Sequence, residues 1–129
     1  MKIIPAIDIR NGKCVRLFKG DYKQETIYSS DPVSMAKKWE FQGAKILHIV
    51  DLDGAKEGRV INGSVINTII KSVKIPIQVG GGVRSFKSIQ ESINSGVSKV
   101  ILGTVVLEDC QLLKPVSYTH LTLPTILRV

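Results

Sequence analysis

Short apolar runs alternate with stretches of helical spacing along this chain. Residues 3–9 form the first run, which is rich in isoleucine and ends near Asp8. A polar excursion over residues 10–30 follows, in which Val15 and Leu17 fit a small hairpin. Asp31-Pro32 then reads as a helix start, with Asp at the cap and Pro at the first helical position. Val33, Ala36 and Trp39 share the inner face of that helix, and Gly43 ends it. A second strand is expected over residues 46–50, ending at Asp51. Asn62 is placed to cap a second helix, with Val65, Ile66, Ile69, Ile70 and Val73 at helical spacing. Residues 75–79 read as a third strand. Ser85 caps a third helix that turns Phe86, Ile89 and Ile93 inward and stops at Gly96. A fourth strand over residues 100–102 runs into Gly103-Thr104 and the start of a fourth helix.

Four successive βα units predict a parallel sheet with helical crossovers. Right-handed crossovers leave two architectures, a barrel or an open doubly wound sheet. In both, ligands gather at the C-terminal ends of the strands. Those ends carry Asp8, Asp51 with Asp53, Gly80-Gly81-Gly82 and Gly103-Thr104. The glycine run lies between a strand and a helix, where backbone can approach an anion and the helix N-terminus favours one. Arg84 follows it and can grip phosphate with two hydrogen bonds. The same run also fits a tight βα turn with no ligand.

Composition narrows the alternatives. The 129 residues are 43 % apolar, enough for one modest core. No apolar run approaches the length of a membrane span, and the N-terminus, broken by Pro5 and Asp8, does not read as a signal peptide. Cys14 and Cys110 form neither a metal spacing nor a disulfide framework, which suits a reducing cytoplasm. No metal site is expected, since no third ligand accompanies the acidic pairs. The net charge is +7, but the lysines are scattered and no basic run carries interleaved aromatics. An anionic small molecule, not nucleic acid, is therefore the expected partner.

Helical periodicity fails after Lys114. The segment Val116-Ser117-Tyr118-Thr119-His120-Leu121, continued by Thr122-Leu123-Pro124-Thr125, matches one reading frame of a transposon-end sequencing adapter. Residues 1–114 are thus expected to be the biological unit and 115–129 an adapter-derived tail, the alternative being a natural extension. His120 and Tyr118 carry no functional weight.

Taken in order, Ile4-Pro5-Ala6-Ile7-Asp8, Gly12-Lys13-Cys14-Val15-Arg16-Leu17, Gly20-Asp21-Tyr22, Asp31-Pro32, His48-Ile49-Val50-Asp51-Leu52-Asp53-Gly54-Ala55, Val79-Gly80-Gly81-Gly82-Val83-Arg84 and Ile101-Leu102-Gly103-Thr104 resemble the HisA family of histidine-biosynthesis isomerases. The resemblance covers residues 1–114. The sister HisF family shares the fold and the glycine loop, but typically starts from a Cys-Leu-Asp strand and lacks the Val-Asp-Leu-Asp-Gly-Ala run. The resemblance implies a (β/α)8 TIM barrel, here a truncated N-terminal (β/α)4 half-barrel. It implies an Amadori rearrangement of an aminoaldose to an aminoketose, with a bisphosphorylated ribotide as substrate and no cofactor. It implies Asp8 as the catalytic base, whose alternative is a strand-end carboxylate that only fixes a loop. One substrate phosphate would rest on Gly80, Gly81, Gly82, Gly103 and Thr104, beside the Arg84 read above as a phosphate grip. The second carboxylate and second phosphate site belong to a half that is absent, so this chain is expected to be inactive alone. An intact parent is expected to be a monomer, whereas the fragment, with open sheet edges, can self-associate.

Weaker candidates surround that core. Arg16 and Lys19 sit in the long first βα loop, either covering substrate or as surface charge. His48 lies within the second strand, either packed or catalytic. Alternation puts Asp51 and Asp53 on one strand face, Asp51 to orient the site and Asp53 to cap a turn at Gly54. Two other functions stay open: a non-catalytic phosphate-binding half-barrel, and an isomerase that also accepts the related anthranilate substrate of tryptophan synthesis.

Overall fold

The computed structural model describes residues 4–102. The expected fourth-helix start at Gly103-Thr104, Cys110 and the tail lie outside the described residues. β1 (Ala6–Arg10) turns through Asn11 and Gly12, both at positive φ, into β2 (Lys13–Phe18), which runs back antiparallel beside it. Lys19 and Gly20 repeat the device and lead into β3 (Asp21–Ser29). Two-residue turns with both φ values positive match the twist of the flanking strands, and glycine at the second position meets that need. The expected small hairpin is therefore present but larger than its apolar residues suggested. This corrects the setting of two candidates. Arg16 lies on β2 opposite Thr26, and Lys19 lies in the tight turn, so neither rides on a long loop.

α1 (Pro32–Phe41) starts as its sequence dictates. Asp31 accepts from the Ser34 amide at 3.1 Å and from the Ser34 hydroxyl at 2.8 Å, and these bonds hold its carboxyl below the ordinary carboxylate range. β4 (Leu47–Asp51) pairs parallel with β1 and is followed by a short helix, α2 (Leu52–Glu57), that the sequence pattern did not announce. α3 (Gly63–Ser72), β5 (Ile77–Gly80), α4 (Phe86–Asn94) and β6 (Lys99–Ile101) complete the described chain. The sheet order is β3-β2-β1-β4-β5-β6, with β1, β4, β5 and β6 parallel.

The register decides which architecture this is. Ile7, Ile49, Val79 and Val100 form one row across the parallel strands, and all are buried. They pack with Ala36 of α1, Ile66 and Ile69 of α3 and Ile89 of α4. The adjacent row, Ala6, His48, Gln78 and Lys99, takes the opposite face by alternation and is mixed in polarity. The helices that contribute to the core thus cover one face, as in part of a barrel; a doubly wound sheet would have them on both. Among the described residues no helix is long and apolar enough to cross a membrane.

Phe86 is not inward, being 45 % exposed. It is the first residue of α4, and helical side chains lean toward the N-terminus, so its ring overhangs the helix end. Ile89, one turn on, is fully buried, and Ile93 packs partly against the core.

Cys14 of β2 is fully buried opposite Ile9. Burial pushes its thiol from the ordinary 9.0 up to about 11; a hydrogen bond with Ser29 opposes the rise, and the Asp31 charge adds to it. The native state therefore holds this proton more tightly than the unfolded chain does. The resulting stabilisation is complete below pH 9.0 and is lost as pH rises through about 11. In a Cys110→Ser background, Cys14 is expected to resist a thiol reagent at pH 8 until denaturant unfolds the chain; rapid labelling of the native protein contradicts this burial.

Candidate functional site

The C-terminal ends of the parallel strands meet at one rim. Asp8, Val50, Gly80 and Ile101 share one register row there. Asp8 is half-buried, on the face away from the core helices. His48 lies on that face one row below, beside Ala6 and Gln78. The structure thus brings Asp8, His48 and the start of the glycine loop to one side of the sheet.

Asp51 is on the other side. It pairs with Ile9 and is 0 % exposed. Its carboxylate accepts from the amides of Gly54, Ile61 and Asn62, each at 2.8 Å, and from Asn62 Nδ2 at 2.7 Å. Asp51 therefore organises the chain after β4 and lies on the sheet face opposite Asp8. It is also Asp51, not Asp53, that caps the turn at Gly54. Asp53 lies in α2, where strand alternation does not apply; it accepts from the Asn11 amide at 2.7 Å and from Asn62 Nδ2 at 2.9 Å. Asn62 holds the expected cap position of α3 but makes no side-chain cap there, because its amide group is committed to the two aspartates.

The glycine loop packs onto that cluster. Gly81 (φ +97°) and Gly82 (φ +82°) both need the left-handed region. A Cβ on Gly81 would lie 2.3 Å from the Asp51 carbonyl oxygen, and one on Gly82 would lie 2.5 Å from the Arg59 carbonyl oxygen. Both glycines are thus required by backbone packing, whether or not an anion binds. Ser85 then caps α4 and exchanges hydrogen bonds with Ser88 in a capping box.

Arg84 leans back over α2. Its Nη2 donates to the Ala55 carbonyl at 3.5 Å, and its guanidinium lies against Gly58. A cavity of about 310 Å³ opens beside the loop, lined by Arg59, Gly82, Arg84, Ser85, Lys87 and Glu91 among others. Three cations against one carboxylate favour an anionic occupant. Arg59 and Lys87 were not legible as site residues, because each is an isolated charge in sequence. Arg16 is exposed on β2, and the Lys19 ammonium lies 5.4 Å from the Phe18 ring; neither reaches this cavity's lining. Gly103 and Thr104 lie outside the described residues.

The hairpin reaches back to α2 through Tyr22. The Tyr22 hydroxyl donates to the Leu52 carbonyl at 2.7 Å, and the Tyr22 ring centroid lies 5.0 Å from the Arg10 guanidinium and 5.6 Å from the Lys56 ammonium. Arg10 also donates to the Tyr22 carbonyl at 2.7 Å and pairs with Glu25. Burial raises the Tyr22 phenol; Arg10 opposes this, while Asp53, Asp51 and Asp8 add to it.

Comparison with known proteins agrees with this architecture. The profile of a family described as histidine biosynthesis protein matches residues 2–121. That span takes in the first residues after Lys114. Proteins named 1-(5-phosphoribosyl)-5-((5-phosphoribosylamino)methylideneamino)imidazole-4-carboxamide isomerase are similar to the chain. The one from Oceanobacillus iheyensis is 61 % identical over 109 residues, covering 84 % of this chain and 45 % of the relative. The one from Brevibacillus brevis is 54 % identical over 107 residues, covering 83 % and 43 %. The one from Gloeothece citriformis is 50 % identical over 117 residues, covering 91 % and 46 %. The chain spans a little under half the length of these curated relatives. It belongs to the histidine biosynthesis protein family, and its parallel strands are those of a half-barrel of that TIM-barrel fold.

Proposed function

We propose that this chain is the N-terminal half of an aldose–ketose isomerase acting on the phosphoribosyl imidazole carboxamide named in its relatives. One observation carries the reading: Asp8 and Gly80 occupy the same register row, two strands apart, at the rim. Strand spacing sets them about 10 Å apart, room for a phosphorylated pentose with its reacting carbon at the carboxylate and its phosphate at the loop. Asp8 takes the proton from C2 of the opened sugar, and a second acid, needed for ring opening, comes from the part of the relatives this chain does not span. The phosphate rests on Gly80, Gly81 and Gly82, with Arg84, Gly103 and Thr104 completing the grip. Holding both ends of the substrate aligns the reacting carbons, and misplacement slows the reaction steeply. A half-barrel lacking the second acid and the second phosphate grip is therefore inactive alone.

The test uses the barrel completed to the length of its relatives. Asp8→Asn is expected to lower kcat about 10²–10⁴-fold, the usual worth of a positioned base. Full activity in that variant, or turnover by the 129-residue chain alone, overturns the assignment. A second reading, a phosphate-binding half-barrel without catalysis, is favoured by the cationic cavity at Arg59, Arg84 and Lys87. It predicts that the chain binds a phosphate ester while the completed barrel turns nothing over.

A further inference from the structure

Besides its ladder with β1 and the Arg10 contacts to Tyr22 and Glu25, the β2–β3 hairpin meets α2 at two points. At its base, the Asn11 amide donates to Asp53 Oδ2. Near its tip, Tyr22 donates to the Leu52 carbonyl, and its ring lies near Arg10 on β1 and Lys56 on α2. Between these points the hairpin runs from the end of β1 to α2, and its Val15 pairs beside the half-buried Asp8. α2 is itself fixed, because Asp51 caps it and Asn62 ties Asp51 to Asp53. The other end of α2 touches the glycine-loop arm through Arg84 and Ala55.

We infer that Tyr22 and Asp53 are positioning residues that hold the hairpin to α2 beside the Asp8 rim, with α2 as the fixed dock between hairpin and glycine loop. The inference rests on the proposed function only where it concerns substrate. Neither side chain belongs to the apolar core that packs the parallel strands. Releasing them loosens the hairpin from α2 while its pairing with β1 remains. A loosened hairpin borders the substrate less firmly, so binding weakens while the chemistry at Asp8 persists.

Hydrogen exchange on the 129-residue chain tests the dock without any substrate. In Asp53→Ala, the amides of β2 and β3 are expected to exchange about tenfold faster, with those of β4 and β5 unchanged. Asp53→Asn should retain protection, since the hydrogen bonds from Asn11 and Asn62 both go to one oxygen, which an amide can supply. Tyr22→Phe removes a single hydroxyl and serves should the alanine variant not fold; it should speed exchange near the hairpin tip. In the completed barrel, Asp53→Ala is expected to raise KM about tenfold with kcat within about a factor of two, and Asp53→Asn to restore KM. Uniform acceleration throughout the sheet, unchanged hairpin exchange, or a loosened hairpin with unchanged KM overturns the inference. If the completed barrel has no isomerase activity, the functional proposal fails, and exchange alone decides the dock.

Discussion

Gly81→Ala is expected to destabilise the chain by about 4 kcal/mol, through forced left-handed backbone and a backbone clash. The two contributions can be separated because other glycines carry one without the other. Gly12 also has positive φ, but a Cβ there meets nothing within 4 Å. Gly12→Ala should therefore show the conformational penalty alone, about 1–2 kcal/mol. Gly80 has no such backbone requirement, and its Cβ would sit 3.5 Å from the Ile101 Cβ, an ordinary contact. Gly80→Ala should be the mildest of the three. At Gly81 the Cβ would lie 2.3 Å from a carbonyl oxygen of β4, and that oxygen belongs to backbone fixed in the sheet. The loop must move as a unit, so any anion binding at it should vanish along with the stability. Urea unfolding of the three variants gives the ranking; equal effects at Gly12 and Gly81 would mean that the loop yields freely.

Asp51→Ala is the other large effect. It strips partners from three main-chain amides and from the Asn62 side chain, around a carboxylate that is 0 % exposed. Leaving such groups unpaired is worth about 1–3 kcal/mol each, and removing one member of a buried charged network about 3–5 kcal/mol in all. Set against a typical total stability of roughly 5–15 kcal/mol, that is enough to abolish cooperative unfolding. Asp51→Asn should fall between, because each carboxylate oxygen accepts two bonds and an amide keeps one oxygen. Gly81 packs on the backbone of the same residue, so Asp51→Asn combined with Gly81→Ala should lose less than the sum of those two singles. Thermal melts followed by circular dichroism check both statements; strict additivity would show that loop and carboxylate act independently.

What the sequence revealed, and what it hid, follows how far apart the interacting residues lie. Asp31-Pro32 and Ser85 were legible because a cap bonds to residues three positions on. Asp8 was legible as an acid at a strand end, but that His48 shares its face is known only from the register. The bonds of Asp51 could not be read locally, since its partners at positions 61 and 62 lie beyond a helix with glycine in its interior. α2 escaped notice for its shortness. Asn62 looked like an ordinary cap because nothing local showed that two carboxylates would claim its amide group. The hairpin's apolar residues hinted at a ribbon. Its docking depends on Tyr22, thirty positions from the Leu52 carbonyl that it meets.

The pairing of β2 with β1 also bears on how the complete barrel can close. Closure requires the final strand to lie along the free edge of β1, and strands in a barrel meet with a fixed stagger. That edge is already bonded at Asp8, Ile9 and Arg10 by Val15, Cys14 and Lys13. An incoming strand can therefore pair with β1 only on the N-terminal side of Asp8. In a barrel completed beyond this chain, the hairpin would act as an end stop that limits how far the last strand slides along β1.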